Sequence, residues 1–193
     1  MTIHYISHPQ VTVDPAVPVD QWGLSPTGRQ RAAAMAAGDW VRSIRRIVSS
    51  AETKALETAA LLGASLGVAV ETRPASGEID RAAAGFLPPD EFEVVADRCF
   101  AEPSTSARGW ERAIDAQARI AATLADLLDD DGPGDVAVVG HGGVGTLWWC
   151  HLSGTPIERR WDQPGQGHVF RVDRASRRPL DHWWPIESAL PGR

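Results

Sequence analysis

Two short apolar runs at opposite ends of the chain each end on a histidine: I-H-Y-I-S-H-P closes on His8, and V-A-V-V-G-H-G-G reaches His141. Runs this short and this continuously apolar read as strands covered on both faces, the pattern of a parallel sheet buried between helices. Each imidazole then emerges at a strand carboxyl end, the edge at which open α/β sheets bind ligands. Two histidines brought to one edge from distant parts of a chain suggest a catalytic pair.

The rest of the sequence alternates in the same sense. Ile3 to Ser7 is the first strand, and the Pro- and Asp-rich residues 9–24 are a loop. Ser25-Pro26 opens a helix with a serine cap and a proline at its first position, and Gly38 ends it. Arg46 to Ser49 is a second strand. Ser49 and Glu52 then have the spacing of a capping box, ahead of a helix whose Ala55, Ala59, Leu62 and Leu66 share a face and which Gly67 stops. Val68 to Glu71 is a third strand. A helix carries Trp110, Ile114, Gln117, Ala121, Leu124 and Leu128 on one stripe, until D-D-D-G-P-G at 129–134 ends it. Asp135 to Gly140 is the fourth strand, followed by a helix from about Gly143, and 168–173 with 180–184 form a closing antiparallel hairpin. The expected fold is a single α/β domain over residues 1–193, a three-layer α/β/α sandwich on a mainly parallel sheet. Residues 73–107 interrupt the alternation, with a helix only from Asp90 to Phe100, and are expected to cap the site.

Composition narrows the function. A net charge of −6 argues against nucleic acid as a general partner. No run approaches the ~20 apolar residues of a membrane span, and no signal peptide is visible, so a cytoplasmic location is expected. Cys99 and Cys150 have no metal or redox spacing and read as reduced core thiols. Asp129 to Asp131 read as a helix end rather than a metal site, and no metal or cofactor is expected. Gly140, Gly142 and Gly145 fit the dinucleotide pattern G-x-G-x-x-G. The acidic residue at the right distance, Asp162, lies in R-R-W-D-Q-P-G-Q-G, which is no strand, so that reading is set aside. Trp148, Trp149, Trp183 and Trp184 read as core or rim aromatics, and Arg177-Arg178 as a solvated turn.

In order and spacing the chain resembles the histidine phosphatase superfamily, with its phosphoglycerate mutase-like fold. That family opens on a strand, then Arg-His-Gly, then a Leu-Thr-x-x-Gly helix start; here stand Ser7-His8-Pro9 and Leu24-Ser25-Pro26-Thr27-Gly28. Its second block, a serine pair and then Arg-Ala-x-x-Thr-Ala, is matched by Ser49-Ser50 and Lys54-Ala55-Leu56-Glu57-Thr58-Ala59. Its cap glutamate is matched by Glu78 ahead of Gly85, and its second histidine block by His141-Gly142-Gly143-Val144. The resemblance implies a phosphomonoesterase for a small phosphate ester. His8 would be the nucleophile that becomes phosphohistidine, Glu78 the proton donor, and His141 a stabiliser of phosphoryl charge. Ser7, Lys54, Arg81 and Gly142 would hold the phosphate.

Three departures bear on that expectation. Both pocket arginines of the family are missing, with Ser7 and Lys54 in their places, and Pro9 replaces a glycine. A guanidinium offers a planar fork to phosphate where lysine offers a point charge. Arg81 is a candidate compensating cation. Lys54 is also the only lysine among 19 basic residues and falls at the start of its helix, where a cation is disfavoured unless an anion is present. The losses leave open a catalytically weak, phosphate-binding or regulatory protein on the same fold. A mutase is the lesser alternative, since family mutases carry a longer cap. Substrate identity and oligomeric state have no signature in the sequence.

Overall fold

The computed structural model describes residues 1–188; residues 189–193 of the domain expected over 1–193 lie outside them. Its centre is a pair of strands buried along their whole length, β1 (Thr2–Ser7) and β4 (Asp135–Gly140), which pair in parallel with Ser7 opposite Gly140. β2 (Ile44–Ser49) joins the far side of β4, and β3 (Val70–Thr72) the far side of β2, both in parallel. β5 (His168–Asp173) runs antiparallel on the other side of β1, with β6 (Arg178–Pro179) beyond it, giving the order β3-β2-β4-β1-β5-β6. The expected mainly parallel sheet is the one found.

Alternation along the central strands divides the core. Ile6, Ile47 and Val139 pack under α1 (Pro26–Ala36) and α2 (Thr53–Leu66), with Met35, Ala55, Ala59 and Leu62. Ile3, Tyr5, Val136 and Val138 pack on the opposite face under α4 (Ala113–Asp129) and α5 (Gly142–Ser153), with Ile120, Leu124, Val144 and Trp148. These are the three layers. α3 (Pro89–Ala101) belongs to a third cluster, in which Val95, Cys99 and Phe100 meet Ile79, Trp110, Ala113 and Leu147.

Three local expectations are corrected. Ser49 does not cap α2: it is still in β2, its hydroxyl bonds the Ser50 carbonyl, and Glu52 stands at the cap position with its carboxylate used elsewhere. The buried stripe of α4 is Ala113, Ala116, Ile120, Leu124 and Leu127, while Ile114 is 47% exposed. Trp110 precedes the helix, so a stripe counted from it is rotated. The closing hairpin is also broken, because β6 (Arg178–Pro179) and β7 (Trp184–Pro185) each pair with only part of β5. Between them the Asp181 carboxylate accepts from the Arg171 backbone N–H at 2.7 Å and from its Nε at 2.6 Å, taking the place of a strand partner.

Candidate active site

Three adjacent parallel strands end at one edge, and their next residues are brought together. His8 follows β1 and its N–H bonds the Gly140 carbonyl at 3.0 Å; Ser50 follows β2 and its N–H bonds Val139 at 3.0 Å; His141 follows β4. The rings of His8 and His141 stand edge to face with centroids 5.3 Å apart. His8 Nδ1 lies 2.9 Å from the Pro9 carbonyl, which can only accept, so the proton sits on Nδ1 and the Nε2 lone pair is free. Burial, reinforced by His141, lowers the His8 pKa to about 3, so the ring is neutral at neutral pH.

His141 is fully buried and directed differently. Its Nε2 is 2.7 Å from Ser50 Oγ and 3.3 Å from Glu52 Oε1. The carboxylate selects the tautomer with a proton on Nε2, and Nδ1 has no partner among the described residues. Burial holds this imidazole below its ordinary value although Glu52 and Glu78 pull the other way. The backbone here is set by Tyr5, whose hydroxyl donates to the His141 carbonyl at 3.1 Å. A Cβ at Gly140 would fall 2.5 Å from the Tyr5 hydroxyl and one at Gly145 2.3 Å from the ring. Those glycines admit a tyrosine from inside the fold, which accounts for two thirds of the G-x-G-x-x-G pattern.

Glu52 is the residue that sequence reasoning misplaced. Its Oε1 accepts from the Glu78 N–H at 2.8 Å and faces His141, while Oε2 pairs with Lys54 Nζ. Burial alone would raise its pKa, but His141, Lys54 and the Glu78 N–H outweigh that and bring it to about 2. Lys54, only 3% exposed, gives its remaining contact to the Val19 carbonyl at 2.7 Å. The anion that a cation at the start of α2 requires is therefore supplied by the chain itself.

The Glu78 carboxylate caps α5. Oε1 accepts from Val144 N at 2.8 Å and Ile79 N at 2.9 Å, and Oε2 from Gly143 N at 3.1 Å. Arg119, also unforeseen, pins the segment by donating to the carbonyls of Ala75, Gly77 and Glu78. The first N–H of the helix, that of Gly142, is not taken by either Glu78 oxygen.

These groups border a cavity of about 360 Å³, whose wall includes His8, Lys54, Glu78, Arg81, Gly142 and Gln163. Arg81 lies over the rings of Phe92 and Trp110, 5.0 and 5.7 Å from their centroids. Arg159 also reaches the cavity, anchored by Glu93 at 2.7 Å and Asp162 at 3.1 Å. Ser7 and His141 are not part of this wall. The Ser7 hydroxyl is fully buried between Gln163 and the backbone of His168. Among the described residues no group of three or more His, Cys, Asp and Glu is arranged to hold a metal ion. The arrangement offers a neutral imidazole lone pair, a free helix N–H and three cations, Lys54, Arg81 and Arg159, around one cavity at the mouth of a buried acid network.

The model of the histidine phosphatase superfamily (branch 1) matches residues 18–183. No curated protein sequence matches the chain. Among solved structures, mycobacterial glucosyl-3-phosphoglycerate phosphatase in complex with inorganic phosphate superposes with a TM-score of 0.79 at 22% identity, over 97% of this chain and 99% of that one. Phosphoserine phosphatase from Entamoeba histolytica, in complex with 3-phosphoglyceric acid, superposes with a TM-score of 0.78 at 15% identity, over 96% and 98%. At these identities the likeness is one of fold.

Proposed function

The chain belongs to the histidine phosphatase superfamily, and from that premise we propose that it is a phosphomonoesterase that hydrolyses a small phosphate ester through a phosphohistidine at His8. The observation that carries this reading is the His8 imidazole. It is neutral, has Nδ1 tied to Pro9, and lines the same cavity as the unclaimed N–H of Gly142 at the start of α5. A helix N-terminus beside a nucleophile is a ready seat for a phosphoryl group.

Nε2 attacks phosphorus, the ester oxygen leaves, and water later cleaves the P–N bond, returning orthophosphate. Gly142 N–H, Lys54 and Arg81 receive the phosphoryl oxygens. Glu78 protonates the leaving oxygen through Oε2, the oxygen with the single and longer backbone contact. His141, outside the cavity wall, holds its proton toward Ser50 and Glu52 and acts on the site through them rather than on the phosphoryl group directly. Residues 73–107 act as the cap: they supply Glu78, Arg81 and Phe92 to the cavity wall. None of the helices among the described residues is long and apolar enough to cross a membrane.

One observation favours the second reading, a weak or regulatory phosphate-binding protein: Glu52 already occupies Lys54 and His141. Brief incubation with a reactive aryl phosphate separates the two. The enzyme acquires an acid-labile, alkali-stable adduct that His8→Ala lacks. Saturable phosphate binding without any adduct establishes the regulatory reading.

A further inference from the structure

We propose that Gln163 is a ligand for a phosphoryl oxygen and that Ser7 is the residue that positions it. The inference rests on the phosphatase reading of the same site; it gives Gln163 a role that the resemblance does not offer and replaces the direct phosphate contact expected of Ser7 with a positioning one. Where the family has a guanidinium, Ser7 is short, wholly buried and absent from the cavity wall. Its oxygen accepts from the His168 N–H at 3.0 Å, and its single proton goes to Gln163 Oε1.

That bond consumes the acceptor end of the carboxamide and leaves the NH2 end, with two protons and no acceptor capacity, turned the other way. Nε2 lies against Gly142: a Cβ added there would stand 2.1 Å from it. Gln163 and Gly142 face the same cavity as His8. No hydrogen bond among the described residues uses Nε2, whereas the rest of the residue is fixed. Its N–H donates to Asp162 Oδ1 at 2.8 Å, and the same oxygen accepts from Thr146 Oγ1 of α5 at 2.9 Å. A donor held rigid at both ends, beside the free N–H of a helix and a neutral histidine, is preorganised for an oxyanion. It supplies hydrogen bonds where the family has charge, without adding a cation to a network that Glu52 and Lys54 already balance.

The test uses the full-length chain and orthovanadate, followed through the fluorescence of Trp22 and Trp110 in the cavity wall, with turnover of an aryl phosphate measured in parallel. Gln163→Ala weakens vanadate binding about 10- to 100-fold, the value of a hydrogen bond to a charged group. The Ser7 hydroxyl keeps an alternative acceptor in the His168 carbonyl at 3.2 Å, so the fold has no new unsatisfied group there. Gln163→Glu has the same size and still accepts from Ser7, yet weakens binding at least as much, because it presents an anion. Ser7→Ala weakens binding in the parent but costs nothing further when Gln163 is already alanine, a dependence that a purely structural role would not produce. Wild-type affinity in both Gln163 variants overturns the proposal. An equal loss from Ser7→Ala in both backgrounds overturns the positioning role. A wild-type protein that neither binds vanadate nor forms the His8 adduct overturns the phosphatase reading itself, and this inference with it.

Discussion

Glu52→Gln separates what this carboxylate does for the fold from what it does to the site, because the two effects have opposite signs. Glu52 is 15% exposed and its pKa falls from an ordinary 4.5 to about 2 in the folded chain. A folded-state value below the unfolded one means stability that is fully present above about pH 4.5 and is lost as pH falls through about 2. The difference corresponds to about 3 kcal/mol, similar to the ~3–5 kcal/mol for removing one member of a buried ion pair. At pH 7 the variant is therefore expected to unfold more easily by about that amount, and its acid unfolding should lack the wild-type step. For an incoming oxyanion the carboxylate is a competitor. Taking a separation of ~5 Å and an effective dielectric of ~20, like unit charges would repel by about 3 kcal/mol, and half of that is about tenfold in affinity. The variant should bind inorganic phosphate at least about tenfold more tightly. Phosphate at ~100 times its dissociation constant should then return about 2.7 kcal/mol of the lost stability. Urea unfolding with and without phosphate, and a tryptophan titration at pH 7, measure both quantities. A variant that loses stability and gains no affinity refutes the competition, leaving Glu52 a structural support.

Two further outcomes follow from the site. With its pKa near 3 against an ordinary 6.5, His8 takes up its proton in the unfolded chain first, so it should lower stability as pH falls from about 6.5 towards 3 while remaining a neutral nucleophile; an NMR titration of its ring that inflects near 6.5 contradicts this. Glu78→Gln should slow esters with poor leaving groups by about 10²- to 10⁴-fold and activated aryl esters far less, and equal slowing of both removes Glu78 from proton transfer.

How much of this was legible in the sequence depended on how local its cause is. β1 and β4 were readable because both their faces are covered, which forces a continuous apolar run. That His8 and His141 reach one edge followed from both standing at strand carboxyl ends and needed no side-chain detail. The face of α4 was not readable, because its buried positions at the N-terminal end are Ala113 and Ala116, which hydrophobicity does not distinguish from the exposed alanines. Trp110 drew the stripe towards itself from a loop, where it packs on Phe92 with centroids 5.4 Å apart. Glu52 matched a local capping pattern with Ser49, yet its partners come from α2, the 73–107 segment and the end of β4. Gln163 had no local signal, since its partner Ser7 lies 156 positions away.

The departures from the family pattern are best understood as one coupled change rather than as separate losses. Lys54 fills the space between the Val19 carbonyl and Glu52 with 3% exposure, so a larger planar guanidinium there would have to move one of them. Glu52 in turn holds the Glu78 backbone and the His141 proton, and cannot be displaced without releasing both. At the other side of His8, Ser7 is committed to the start of β5 and to Gln163, whose carboxamide nitrogen lies against Gly142. Reinstating an arginine at either position alone would therefore unpair buried polar groups before it could reach a phosphate, at ~1–3 kcal/mol for each group left unsatisfied. What keeps the site in this form is the interdependence of its hydrogen bonds, and a return to the family's charged pocket requires positions 7, 52, 54 and 163 to change together.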